Sequence, residues 1–198
     1  NLLIEIAHIS YQIIEIFQHL HGAFILHCDI KPDNFMINEC EKIVLIDFGL
    51  ACLYVESNDT TKHRRDEPKE HLIGSAKYAS YFLHNGHTPS RRDDMISVGY
   101  LLLVLFKVNI PWSDIAASQS IEASKTLEPT YEEYHIMHPH NIIRKNMKSP
   151  EYLFKYIKSV NKPIETNYLL PYLENVYNIG AIETPDYYIL KALFSRLY

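Results

Sequence analysis

The sequence predicts a mainly α-helical domain with a few short β-strands. Two long segments either repeat apolar residues at three- and four-residue intervals or are apolar on nearly every side, which is typical of helices that face a core. Between them lie short apolar runs separated by polar turns, the pattern of brief strands. With 198 residues, 47% of them hydrophobic and 22% charged, the chain fits one ordinary domain or a large part of a bigger one.

The first predicted helix begins at Leu2, repeats apolar residues as far as Leu20, and ends at Gly22, a residue type that favours helix ends. Predicted strands follow at 24–26, 35–37 and 43–46. The polar and charged segment 53–75 then indicates a long surface loop, and loops of that length are usually functional or mobile.

The second predicted helix runs from Asp93 to Lys107 and is apolar almost all round. It is too short to span a bilayer, and charged residues crowd its start, so we expect a central core helix and no membrane segment. The remainder of the chain, 113–198, predicts shorter helices that end at prolines.

Composition excludes several classes of protein. The net charge is -5 at pH 7 and no basic stripe dominates the sequence, which argues against a general nucleic-acid binder. Acidic residues among the first twenty indicate that these residues are not a signal peptide. Cys28, Cys40 and Cys52 form no C-x-x-C pair and predict neither a disulfide framework nor a zinc site. A reducing intracellular location, cytoplasmic or nuclear, fits best.

The segment HCDIKPDNFMINECEKIVLIDFGLA, residues 27–51, concentrates the chemistry-bearing residues. Two short strand pairs would bring the loop around Asp29 beside the turn at Asp47. Asn34 and Asp47 would then offer oxygen ligands, which suit Mg²⁺ carrying a nucleotide phosphate. Asp29 could accept a hydroxyl proton while Lys31 meets the transferring phosphate, and these are the parts of phosphoryl transfer. The plainer alternative is a set of solvated loop residues, but two such motifs in this order favour the site.

This segment resembles the catalytic and metal-binding loops of eukaryotic protein kinases, which read H-R-D-x-K-x-x-N followed by D-F-G. Residues 74–106, GSAKYASYFLHNGHTPSRRDDMISVGYLLLVLF, resemble the casein kinase I family, as do residues 110–112 and 185–198. The resemblance covers nearly the whole chain. It implies that residues 1–198 are the C-terminal, large lobe of the protein kinase fold.

The resemblance also implies a role for each candidate residue. Asp29 is the catalytic base, Lys31 contacts the phosphate, and Ser75 bonds and orients both of them. Asn34 and Asp47 bind Mg²⁺ and, with it, ATP. The implied enzyme is a serine/threonine kinase acting on protein substrates, because lysine at position 31 is the choice of such kinases.

Two further residues take their expected roles from the same resemblance. Asp94 aligns with an aspartate of the central helix that ties down the catalytic loop, and His27 is expected to pack and to bond backbone. Lys77 stands where casein kinase I enzymes have a phosphate-binding arginine, so acidic or already phosphorylated protein substrates are expected. The alternative for Lys77 is a solvated loop charge.

Two departures from the family pattern limit what carries over. Cys28 replaces the arginine of H-R-D, and a thiol cannot make the bidentate contact by which that arginine holds a loop phosphate, so activation by loop phosphorylation is not expected. No glycine-rich phosphate loop or V-A-I-K-like lysine occurs, so we expect the N-terminal ATP-binding lobe to lie outside this chain and the chain alone to be a poor catalyst. Residues 113–150 are less similar, and no family site is transferred there.

Two other functions are compatible with such a fold. A truncated or pseudokinase lobe would act as a non-catalytic binding module, but a scaffold has no need of all four of the residues Asp29, Lys31, Asn34 and Asp47. A kinase-fold enzyme that phosphorylates small molecules is the other, and the segment 74–80 argues against it because it resembles a platform for protein substrates.

Overall fold

The computed structural model describes residues 2–56, 59–115, 131–160 and 162–197. Over these residues the chain forms seven α-helices and three antiparallel two-stranded sheets, with short 3₁₀ and π turns between them. In chain order the elements are α1 (Leu2–Gly22), β1 (Ile25–Leu26), β2 (Phe35–Ile37), β3 (Ile43–Leu45), β4 (Cys52–Leu53), β5 (Val55–Glu56), β6 (Asp59–His63), α2 (Tyr81–His84), α3 (Arg91–Leu105), α4 (Pro139–Lys148), α5 (Pro150–Val160), α6 (Leu170–Tyr177) and α7 (Tyr187–Ser195).

Helix α3 is the centre of the core, as its pattern predicts. Every residue from Arg92 to Leu103 is buried, and α1, α2 and α6 pack around it. Gly99 allows the close approach of α6, because a Cβ at this position would lie 2.6 Å from Leu173 Cδ2. None of the helices in the described part of the chain is both long enough and apolar enough to cross a membrane.

The start of α3 lies two residues before the predicted one, and the cause is a helix cap. Both the backbone N–H and the hydroxyl of Ser90 donate to Asp93 Oδ2, at 2.9 and 2.7 Å. Asp93 is the third residue of the helix, and its carboxylate accepts a hydrogen bond from the backbone N–H of the N-cap residue Ser90. This contact is half of a capping box, which satisfies backbone N–H groups that have no partner within the helix. Capping therefore sets this boundary, and the apolar pattern does not.

The pairing of the short strands brings together the segments that carry the candidate site residues. Strand β1 pairs with β4 so that Leu26 lies opposite Cys52, and β2 pairs with β3 so that Phe35 lies opposite Leu45. The prediction of a long surface loop over 53–75 is wrong in part, because β5 pairs with β6 inside it. This ribbon is largely polar, so it lacks the apolar alternation by which a strand is predicted.

The helices predicted after 113 are found as α4 to α7 in the described residues. Helix α7 packs against α1, and α5 packs against α4 and α6. The part of the prediction that falls on 116–130 lies outside the described residues.

Candidate active site

The loop of residues 27–34, here called the Asp29 loop, is fixed to helix α3 by one carboxylate. Asp94 accepts hydrogen bonds from the backbone N–H of His27, at 2.9 Å, and of Cys28, at 3.1 Å. The ring of His21 adds a third contact, with Nε2 3.1 Å from Asp94 Oδ2 and Nδ1 2.6 Å from the Tyr187 hydroxyl. All these groups are buried, so the position of the loop follows from the position of the core helix.

The ring of His27 joins the Asp29 loop to the end of strand β3. Its Nδ1 accepts from the backbone N–H of Asp29 at 3.3 Å, which leaves Nε2 to donate to the carbonyl of Ile46 at 3.1 Å. This is the packing and backbone-bonding role that the sequence predicts. It holds residue 46, and hence Asp47 after it, beside Asp29.

The carboxylate of Asp29 is the meeting point of the site. Ser75 donates twice to Oδ1, from its backbone N–H at 2.9 Å and from its hydroxyl at 2.8 Å, while Lys31 Nζ lies 2.7 Å from Oδ2. Burial by itself raises the pKa of Asp29, but the hydrogen bonds from Lys31 and Ser75 outweigh it and hold the pKa below its ordinary value. The carboxylate is therefore ionised at neutral pH.

The side chain of Asn34 bonds back to Asp29 across the Asp29 loop. Its amide Nδ2 donates to the carbonyl of Asp29 at 2.7 Å and to Asp29 Oδ2 at 3.3 Å. This arrangement leaves Asn34 Oδ1 without a hydrogen-bond partner among the described residues. The backbone of Asn34 also accepts from Ile46 N–H at 2.9 Å, which extends the β2–β3 ladder by one step towards Asp47.

Asp47 presents an exposed carboxylate at the end of β3. Its φ of 60° turns the chain sharply, and its Oδ1 accepts from Gly49 N–H at 3.1 Å. A Cβ at Gly49 would come within 3.1 Å of that same oxygen, so glycine leaves the carboxylate accessible. Oxygens alone, from one amide and one carboxylate, suit a hard cation such as Mg²⁺ that takes its other ligands from phosphate and water.

Gly74 explains how Ser75 reaches Asp29. Its φ is +78°, and a Cβ there would lie 2.2 Å from the carbonyl oxygen of Cys28. The two chain segments are thus in contact at a point where only a hydrogen fits. The next residue is Ser75, whose two hydrogen bonds to Asp29 depend on this approach.

Residues 76–80, here called the platform, rest on a buried lysine that sequence reasoning missed. Lys148 at the end of α4 is fully buried, and its Nζ donates to the carbonyls of Ala76 at 2.9 Å and Ala79 at 2.5 Å. Burial lowers the pKa of Lys148 well below its usual value. Trp112 supports the same backbone, donating from Nε1 to the carbonyl of Lys77 at 2.8 Å.

Lys77 borders a cavity of about 330 Å³ that begins at Ser75. Arg144, His138 and Glu133 also line it. Among the described residues Lys77 has no ion-pair partner, and its Nζ lies 5.6 Å from the centre of the Tyr78 ring. Lys77 and Ser75 thus line the same cavity, and a role of Lys77 in substrate binding stays a prediction.

Three basic residues in the segment 62–69 have local partners. Lys62 lies 3.1 Å from Asp59, and Lys69 lies 3.5 Å from Glu67. Arg64 donates to the carbonyl of Leu53 at 3.2 Å. These contacts leave Lys77 as the better candidate for a substrate anion.

Comparison with known proteins identifies the family. The model of the protein kinase domain matches residues 4–163. The chain belongs to the protein kinase family. It is 32% identical over 187 residues to the casein kinase I homolog RAG8 of Kluyveromyces lactis, covering 92% of this chain and 31% of that protein. It is 33% identical over 179 residues to a probable casein kinase I homolog of Encephalitozoon cuniculi, covering 90% of this chain and 51% of that protein.

These matches confirm the resemblance to casein kinase I, and the chain is a casein kinase I-family protein kinase sequence. It spans about a third and about half of the lengths of the two relatives. The structure brings Asp29, Lys31, Asn34 and Ser75 into direct contact and holds Asp47 beside them. Their roles in catalysis, and the lobe to which the chain corresponds, remain predictions.

The close approach at Gly74 gives a prediction for stability. Gly74→Ala should lower the free energy of unfolding by about 1–3 kcal/mol, because the added Cβ meets the Cys28 carbonyl and the backbone is left-handed there. Gly22→Ala is the matched control, since nothing lies within 4 Å of a Cβ at that position. Urea unfolding of both variants is the measurement, and equal midpoints would show that the segments do not meet at Gly74.

Proposed function

We propose that residues 1–198 are the C-terminal lobe of a serine/threonine protein kinase, and that the complete protein transfers the γ-phosphate of ATP to protein hydroxyls. The observation that carries the proposal is that the Asp29 carboxylate accepts hydrogen bonds from Lys31, Ser75 and Asn34 at the same time. A cytoplasmic or nuclear location is part of the proposal. It accords with three cysteines that are all free thiols.

The hydrogen bonds of Asp29 suggest how the loop would work. A carboxylate offers about four lone-pair positions, and four donors already occupy them: two from Ser75, one from Lys31 and one from Asn34. A substrate hydroxyl therefore has to replace one donor. Lys31 is the donor that can leave, because its side chain is 27% exposed and ends in a flexible ammonium group.

On this proposal Lys31 turns from Asp29 to the transferring phosphate as the substrate hydroxyl arrives. The exchange places the cation where charge develops and opens Asp29 Oδ2 to the hydroxyl proton. A carboxylate with a lowered pKa is a weak base, so Asp29 mainly orients the hydroxyl. That matches phosphoryl transfer, in which positioning and charge stabilisation supply most of the rate enhancement.

Asn34 and Asp47 are the residues that would hold Mg²⁺ with ATP. Both offer oxygen atoms, Asn34 Oδ1 and the exposed Asp47 carboxylate, on adjoining steps of the β2–β3 ladder. Bound there, the metal would neutralise charge on the nucleotide phosphates.

Protein substrates with an acidic or phosphorylated residue near the target hydroxyl are the proposed substrate class. The charge of Lys77 has no ion-pair partner among the described residues and lies beside Ser75, on the edge of the cavity. The two relatives are named casein kinase I homologs, which agrees with a protein substrate.

The first test removes the base. In the complete gene product, Asp29→Asn should lower phosphate transfer from ATP to an acidic protein by at least about a hundredfold. Asp33→Asn, an exposed carboxylate in the same loop, should change it little. The measurement is incorporation of labelled phosphate with Mg²⁺ present. Full activity in Asp29→Asn would remove Asp29 from the mechanism, whereas no transfer by the wild type would favour a non-catalytic binding module.

The second test concerns substrate choice. Lys77→Ala should lower kcat/KM on a phosphorylated or acidic peptide about five- to tenfold relative to a neutral peptide of otherwise equal sequence. Lys77→Arg should keep or sharpen the preference, because a guanidinium contacts a phosphate through two nitrogens. Equal losses on the two peptides would mean that Lys77 supports the platform without contacting the anion.

A further inference from the structure

Two thiols lie in contact at the Asp29 loop, one of them inside it. Cys28 Sγ is 3.7 Å from Cys52 Sγ, and both thiols are free. Cys28 immediately precedes Asp29, whereas Cys52 begins β4 after the D-F-G segment. The pairing of β1 with β4, with Leu26 opposite Cys52, brings the two together across 24 residues of chain.

The two sulfurs differ in accessibility. Cys28 is 8% exposed and belongs to a small apolar cluster with Leu26, Tyr54 and Val55. Cys52 is only half-buried at the edge of that cluster. A small oxidant therefore meets Cys52 first, with Cys28 directly behind it.

The surroundings favour the thiolate of Cys52. The hydrogen bond from the Cys28 thiol, opposed by burial and assisted by the nearby Arg64, lowers the pKa of Cys52 to about 7. The same contact, together with burial and the charge of Asp94, raises the pKa of Cys28. One thiolate that is partly exposed, with a second thiol in contact, is the arrangement of redox-active cysteine pairs.

We propose that Cys28 and Cys52 form a reversible disulfide on reaction with a peroxide, and that this bond restrains the Asp29 loop. In the first step the Cys52 thiolate attacks hydrogen peroxide, so that a sulfur–oxygen bond forms and the oxygen–oxygen bond breaks. The hydroxide that leaves takes up the proton released when the Cys52 thiol ionised, which gives the first water. In the second step Cys28 sulfur attacks the Cys52 sulfenic acid, and its proton leaves with the hydroxide as water. Two thiols are oxidised, and one peroxide is reduced to two waters.

The geometry determines what the bond would do. A disulfide needs its sulfurs at about 2.05 Å, so the pair must close by roughly 1.6 Å from its present 3.7 Å. Strand β4 is paired with β1, and Cys28 is held by Asp94 and Gly74 and is bonded to Asp29, so neither sulfur can approach without moving backbone that is already held. Closure therefore strains the backbone next to the base, where a displacement of about 1 Å can cost on the order of a hundredfold in rate.

Formation of the bond is independent of the proposed function, and only its effect on catalysis rests on that function. The test accordingly measures the bond and the activity separately, in the complete protein. Trypsin leaves Cys28 and Cys40 in one peptide ending at Lys42, and Cys52 in the peptide 43–62. The Cys40→Ser background is therefore required, because a link between the two peptides can then join only Cys28 to Cys52.

Reduced Cys40→Ser protein is treated with hydrogen peroxide, alkylated, digested and analysed by mass spectrometry. The expected product is the two peptides linked with loss of two hydrogens, at a yield independent of protein concentration and removed by dithiothreitol. With Cys28→Ser added, Cys52 should persist as a sulfenic acid that dimedone traps. An unlinked pair, a Cys52 sulfinic acid as the main product, or a link that grows with protein concentration would overturn the proposal.

Phosphate transfer by the same samples tests the restraint. Peroxide should lower the activity of Cys40→Ser protein by at least about tenfold, and dithiothreitol should restore it. With Cys52→Ser added, the ratio of treated to untreated activity should stay near one. A linked protein with full activity would overturn the restraint. Absence of transfer in the reduced protein would count against the proposed function and leave the mass measurement decisive for the bond.

Discussion

The carboxylate of Asp94 connects the most buried helix of the protein to a loop without regular secondary structure. A buried carboxylate is stable only when donors compensate its lost hydration, and the amides of His27 and Cys28 with the His21 ring provide that compensation. The backbone at Cys28 is left-handed, with φ of 66°, a conformation that costs on the order of 1 kcal/mol or more. The bonds to Asp94 hold it there, and the next residue is Asp29.

The remaining contacts of the site follow from that attachment. The His27 ring can reach Ile46 because its backbone is fixed, and so residue 47 comes beside Asp29. Ser75 reaches Asp29 because Gly74 touches the carbonyl of Cys28, the same residue that Asp94 holds. The proposed base, metal ligands and orienting hydroxyl are thus held to helix α3 through short chains of hydrogen bonds. Cys28, one of the two thiols in contact, is itself bonded to Asp94 through its backbone N–H.

The sequence alone is enough to predict helices and groups of residues that are close together in the chain. It does not predict contacts between residues that are far apart in the chain. Periodicity is enough to predict α1 and α3, and close spacing is enough to group Asp29 with Lys31 and Asn34. Ser75 lies 46 residues from Asp29, and only the family resemblance pointed to it. Lys148 gave no signal, since lysine is normally exposed and its burial depends on carbonyls 69 and 72 residues away. The Cys28–Cys52 contact depends on the pairing of β1 with β4. The sequence predicts the strand at β1, but β4 has only two residues and gives no pattern.

Amide hydrogen exchange at His27 and Cys28 tests most directly whether Asp94 holds the loop. Both amides lie outside helices and strands, yet in the wild type they should be strongly protected. In Asp94→Asn only one side-chain oxygen remains to accept, so at least one of the two amides should exchange about tenfold faster or more, while amides in the middle of α1 keep their protection. Unchanged exchange at both positions would contradict the account, because the loop would then be held by something other than the Asp94 carboxylate.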